Sequence, residues 1–221
     1  MNLTLDDRLS ACALFVRDGA VLVDVGTDHA YLPTFLIGEK RIKSAIACDI
    51  NEKPLQSALA TINSYDAKNI ELRLCDGLAG VRENEFSDVV IAGMGGELII
   101  KILSDCPFIK NDKFNIILQP MSKVYDVRKW LCQNGFYIKA EKAAAANNKI
   151  YTVLNAEYRG ECDNKDECFY HFGLHTKSQD EKSKKYVLKT KNSLQKAATG
   201  ILVSDKENEY AKSILRMLQD L

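Results

Sequence analysis

The chain has 221 residues, 46 % hydrophobic and 27 % charged, with 30 basic and 30 acidic side chains and no net charge. That length suits one ordinary α/β domain with a small appendage, and electroneutrality excludes bulk attraction to a polyanion, so any basic surface must be local. No apolar run approaches the ~20 residues a membrane span needs.

Residues 5–16 place Leu5, Leu9, Cys12, Ala13 and Val16 on one helical face, with Arg8 among them. Strand and helix patterns then alternate. Ala20–Val25 reads as a strand running into Gly26, and residues 31–39 as a helix. Residues 44–50 form the second strand, which carries Asp49; residues 53–64 form a helix with Pro54 in its tolerant first turn. The third strand spans 69–74 and precedes Asp76 and Gly77. The fourth spans 88–92 and precedes Gly93, Met94, Gly95 and Gly96, with a helix through residue 103. The fifth spans 115–118, followed by Gln119 and Pro120, and residues 124–133 are helical. Residues 136–142 and 149–156 flank Asn147-Asn148, a hairpin turn. Five alternating strands argue for a doubly wound parallel sheet. The terminal hairpin extends it to a seven-stranded Rossmann-like α/β sheet with one antiparallel strand, the arrangement of class I methyltransferases.

The pattern changes near residue 158, which divides a domain of 1–157 from a helical one of 158–221. Residues 160–167 read as a polar loop, and 176–200 and 205–221 as a helical hairpin. Lys182, Lys184, Lys185, Lys189, Lys191 and Lys196 stand in a stretch with no acidic residue after Glu181. They form either a solvated helix face or a surface that tracks a nucleic-acid backbone. Residues 1–8 have neither a basic start nor an apolar core, so no secretion leader is expected and the protein is expected to be cytoplasmic. Seven scattered cysteines then read as reduced thiols. Cys162, Cys168, His171 and His175 do not have a usual zinc spacing, so no metal is expected.

In an open α/β sheet, ligands bind at the carboxyl ends of the strands. Asp24, Gly26, Thr27, Asp28, Asp49, Asp76, Gly77, Gly93, Gly95, Gly96 and Gln119 all fall at such ends. Gly26 permits a tight turn, but Asp28 stands where a dinucleotide loop would place another glycine. A carboxylate there repels a pyrophosphate and tolerates a sulfonium, which favours S-adenosyl-L-methionine over NAD or FAD. Asp49 suits ribose hydroxyls or a strand-end cap. Asp76 suits an adenine amino group or a simple turn. Asp24, inside an apolar strand, needs hydrogen-bond partners or a cation.

Asp24-Val25-Gly26-Thr27-Asp28-His29-Ala30-Tyr31-Leu32-Pro33, Asp76-Gly77-Leu78, Ala92-Gly93-Met94-Gly95-Gly96 and Leu118-Gln119-Pro120 together resemble the bacterial tRNA (adenine-22-N1)-methyltransferases. The Leu5-x-x-Arg8-Leu9 helix, and Phe172-Gly173 before a helical hairpin, are similar too. Residues 143–146, all alanine, depart from it without touching the proposed site. The resemblance implies S-adenosyl-L-methionine as donor, the D-arm adenine of tRNA as acceptor, and a C-terminal helical domain that helps hold tRNA. It implies cofactor contacts from Arg8, Asp24, Gly26, Thr27, Asp49, Ile50, Asp76, Gly77, Ala92, Gly93 and Met94. Substrate contacts would come from His29, Tyr31, Gly95, Gly96, Gln119, Lys184, Lys185 and Lys189. Asp28 is the candidate catalytic residue, balanced against a role as helix N-cap. Two other readings remain: a methyltransferase of another RNA or a small molecule, and a non-catalytic tRNA-binding module.

Overall fold

A computed structural model describes residues 3–221; Met1 and Asn2, where the amino-terminal reading begins, lie outside the described residues. Seven strands form one sheet: β1 (Ala20–Val25), β2 (Ile42–Asp49), β3 (Ile70–Leu74), β4 (Asp88–Gly95), β5 (Asn115–Ser122), β6 (Phe136–Ala146) and β7 (Lys149–Tyr158). Their order is β3-β2-β1-β4-β5-β7-β6. β7 runs antiparallel to both neighbours, and every other pairing is parallel. This is the seven-stranded α/β sheet expected from the sequence.

Strand side chains alternate between the two faces, so each face gathers its own helices. Val23, Ile91 and Ile116 pack under α4 (Gly96–Ser104) and α5 (Val124–Gln133). Leu22, Val90 and Ile117 face α1 (Asp7–Phe15) and α2 (Tyr31–Gly38). Ala58 and Ile62 of α3 (Glu52–Ser64) cover Ala47 nearby. At the opposite, amino-terminal edge, the Asp88 carboxylate accepts bonds from the Arg17 backbone and guanidinium and from Asn115.

The hairpin turn is as the sequence requires: Asn147 and Asn148 both have positive φ, +49° and +59°, the conformation of a two-residue type I′ turn. Other strand ends differ from expectation. β4 runs on through Gly95 and β5 through Ser122, because Met94 and Gly95 still find ladder partners in Pro120 and Ser122. The glycine segment is therefore an irregular strand rather than a free loop.

The C-terminal region also differs. Between the expected loop of 160–167, with which it shares only Glu167, and the expected helix from 176 lies a short helix α6 (Glu167–Phe172), with the Asp166 side chain accepting from the Phe169 amide, followed by a 3-10 turn (Gly173–Lys177). α7 (Glu181–Ser204) starts at an Asp180 cap, later than residue 176, and α8 (Glu209–Gln219) starts at an Asn208 cap. The hairpin closes over Phe172, Ala198, Ala211, Ile214 and Leu218. Among the described residues no helix is long and apolar enough to cross a membrane.

Candidate active site

The β1–α2 turn builds the centre of the site. Gly26 has φ +74°, a conformation that favours glycine, and a Cβ there would also require the Met94 methyl to move from 2.1 Å away. The Gly26 and Thr27 amides both donate to the Cys48 carbonyl, which ties the turn to the end of β2. Asp24 is buried, and its Oδ2 accepts a 2.6 Å bond from Thr27 Oγ1. Burial raises its pKa to about 6 despite that hydrogen bond.

Ala30, with φ +52°, occupies the cap position of α2, and no side chain bonds to the helix start. Asp28 is therefore not the helix cap. Its carboxylate is 79 % exposed and stands 3.6 Å from His29 Nε2. His29 in turn stacks on Tyr31, centroids 5.0 Å apart and planes 11° apart. Tyr31 is exposed.

A cavity of about 830 Å³ joins these groups. Arg8, Asp24, Gly26, Thr27, Asp28, His29, Tyr31, Ala92, Gly93 and Gln119 line it, drawn from α1, β1, the following turn, the start of α2, β4 and β5. Gln119 is fully buried; its Oε1 accepts from the Gly93 amide at 3.1 Å and from Arg8 Nη1 at 3.4 Å. Asp6 holds the other side of the Arg8 guanidinium at 2.8 Å. The cavity thus has a carboxylate floor at Asp24, a guanidinium on one wall and an open carboxylate at its mouth.

Other expected residues are not in its lining. Asp49 ends β2, next to the Cys48 carbonyl that ties the turn, and Asp76 lies two residues past the end of β3 on the same carboxyl edge; neither lines this cavity, nor do Ile50, Gly77 and Met94. The Asp49 carboxylate accepts from the Asn51 amide at 2.8 Å, as a strand-end cap would. Gly95 and Gly96 also lie outside the lining. Gly96 is buried, and a Cβ there would sit 2.7 Å and 2.8 Å from the Ser122 and Lys123 carbonyl oxygens, so its role is to let α4 dock. Lys184, Lys185 and Lys189 are on α7, away from the cavity; Lys184 pairs with Glu181 at 3.0 Å. Leu5 and Leu9, which flank Arg8 in the first helix, also line the cavity, as do Asp6 and Tyr65, which the sequence pattern does not mark. Asp6 is legible in retrospect as the α1 cap, accepting from the Leu9 amide. Tyr65, at the far end of α3, carries no local signal.

The cysteine–histidine group does not converge. Cys162 bonds to the Gln133 carbonyl, while His175 lies between Thr152 and Ser183. Among the described residues no cluster of three His, Cys, Asp or Glu side chains could hold a metal ion.

A methyltransferase-domain family matches residues 5–154. The tRNA (adenine(22)-N(1))-methyltransferase of Bacillus subtilis is 35 % identical over 157 residues, which make up 71 % of this chain and 66 % of that protein. A Streptococcus pneumoniae crystal structure, proposed to be a tRNA (m1A22) methyltransferase, matches with 34 % identity and TM-score 0.84, covering 98 % of this chain and 97 % of that one. The same protein in complex with S-adenosyl-L-methionine matches with 32 % identity and TM-score 0.81, covering 98 % and 99 %.

Proposed function

The chain belongs to the tRNA (adenine-22-N1)-methyltransferase family, and we propose that it transfers a methyl group from S-adenosyl-L-methionine to N1 of adenine 22 in tRNA. The observation that carries this reading is the exposed, uncapped Asp28 carboxylate at the mouth of a cavity floored by buried Asp24. In this reading the sheet domain does the chemistry in the cytoplasm, and the helical unit from residue 158 onward helps hold the tRNA.

The residues present fit the cofactor. The lining is acidic at Asp24 and Asp28, where a sulfonium or ammonium is welcome and a pyrophosphate is not. Arg8 offers the planar fork that pairs with a carboxylate. Gly93 carries no side chain to hold a ligand away from its main chain. When bound, S-adenosyl-L-methionine supplies an electrophilic methyl group whose sulfur departs as a neutral thioether.

Adenine N1 has a free lone pair and needs no base before attack, so the main demand on the protein is alignment. His29 and Tyr31 present a stacked aromatic pair beside the mouth, a surface on which a base can lie. The target base sits within a folded tRNA and must be turned out to reach it. As the N1–methyl bond forms, the ring becomes cationic. Asp28 supplies the opposite charge where that cation develops, and it can take a proton from the exocyclic amine afterwards.

The test is methyl transfer to an unmodified tRNA carrying adenine at position 22, beside the same tRNA carrying guanine there. Adenine tRNA should accept methyl and guanine tRNA should not; equal labelling of both would refute the assignment. Asp28→Ala should lower kcat by about 100-fold or more, in the range for loss of one aligned electrostatic partner, with a much smaller loss of S-adenosyl-L-methionine affinity because the Asp24 carboxylate remains in the lining.

A further inference from the structure

We infer that the groove between the β6–β7 turn and α7 is a phosphate-binding subsite for the tRNA backbone, with Lys149, Lys185 and Lys189 as its cations. This rests on reading the chain as a tRNA methyltransferase.

The groove, of about 480 Å³, is bounded by the Asn147-Asn148 turn and by those three lysines, and no carboxylate lines it. All three lysines are exposed. Lys189 Nζ donates to the Ile150 carbonyl at 3.2 Å, which holds its ammonium against the hairpin. Lys185 and Lys189 are four residues apart, so they share one face of α7. That helix carries no acidic residue after Glu181, so the positive field along it is not cancelled by α7 itself. Lysine is a compact point charge without the planar fork that reads bases, which suits a contact to any phosphodiester.

Position strengthens the case. β6 runs parallel to β1 and β4, because β7 lies antiparallel between β6 and β5. Its end at Ala146 therefore reaches the same carboxyl edge at which the cavity opens. A clasp holds the two sites in register. The Asp7 carboxylate receives Lys182 Nζ at 2.6 Å and 2.7 Å and the Ala145 amide at 2.6 Å. The next residue, Arg8, lines the cavity. One acidic side chain thus fixes α7 and the hairpin to the helix that bounds the methyl-transfer site. Lys182 and Lys184 are neutralised by Asp7 and Glu181, and Lys149 takes the place that Lys184 had in the sequence reading.

The experiment uses the full chain and an unmodified tRNA transcript with adenine 22. Binding is followed by fluorescence anisotropy across a salt series, and methyl transfer is measured alongside. The triple variant Lys149→Gln, Lys185→Gln, Lys189→Gln alters only exposed side chains. It should reduce the slope of log affinity against log salt by about 2–3, the loss of three phosphate contacts. KM for tRNA should rise about 10-fold or more, as removal of backbone contacts does, with kcat at saturating tRNA and S-adenosyl-L-methionine affinity unchanged. Lys43→Gln, at the amino end of β2, should leave the slope alone. A triple variant with wild-type slope and KM overturns the groove, as does an equal loss of slope in Lys43→Gln. Wild type that methylates tRNA while the triple variant binds unchanged overturns the groove alone; wild type that binds no tRNA overturns both readings.

Discussion

Asp24 shows how one residue can be explained only by its site. A carboxylate in the middle of a buried strand is costly, and Thr27 alone does not offset the burial that lifts its pKa from 3.8 to about 6. The sign of the consequence follows. With its folded pKa above its unfolded one, the native protein holds more protons than the unfolded chain between about pH 4 and 6, so this group's contribution to stability falls as pH rises through that window. The loss is on the order of 3 kcal/mol, and Asp24→Asn should abolish it. His175 acts in the opposite sense, since burial lowers its pKa to about 4 and its contribution fades as pH falls. The difference between wild type and Asp24→Asn in urea titrations at several pH values isolates Asp24. S-adenosyl-L-methionine affinity, measured by calorimetry, should rise as pH climbs through about 6 in wild type and stay flat in Asp24→Asn.

Elements set the limits on what the glycine segment can do. The four residues from Gly93 stand together in the sequence between a strand and a helix, yet they divide into different jobs. Gly93 has φ +76° and bonds to Gln119 at the cavity; Gly96 lies under two carbonyls and Val127 where α4 meets β5 and α5. A methyl group at Gly96 has no room against backbone, and overpacking of this kind costs about 1–3 kcal/mol. At Gly95 the nearest atom to a Cβ is Ser122 Oγ at 3.5 Å, an ordinary contact. Gly96→Ala should therefore lower the urea midpoint clearly, and Gly95→Ala should not. Equal effects would mean that the segment shifts as a whole.

At the scale of the molecule, a buried polar network joins the C-terminal helices to the sheet domain. Glu141 on β6 accepts Arg128 Nε at 2.7 Å and Nη2 at 3.2 Å, and also the Leu174 amide at 2.9 Å. Arg128 continues to the Tyr170 and His171 carbonyls and to Tyr186 Oη on α7. Both side chains of the pair are wholly buried. Removing one member leaves an uncompensated charge in the interior, at a cost of about 3–5 kcal/mol. Glu141→Gln should lower stability by that order in denaturant titrations. It should also expose α7 and α8 to limited proteolysis before the sheet domain is cut. If the variant melts as a unit with wild-type cleavage order, the network does not dock the helices.

The sequence by itself determined the succession of elements along the chain: five alternating units, the Asn147-Asn148 hairpin, and the acidic turn after β1. These depend on side-chain period and on φ preferences, which are local. Tertiary structure alone decided that Asp28 is free of the helix start, that Asp49 and Asp76 stand outside the cavity, and that Tyr65 and Asp6 help to line it. It also decided that Arg128, an ordinary helix residue in the linear pattern, is the buried link to the C-terminal helices. Those outcomes depend on which distant elements meet, and residue spacing along a chain carries no record of distance through space.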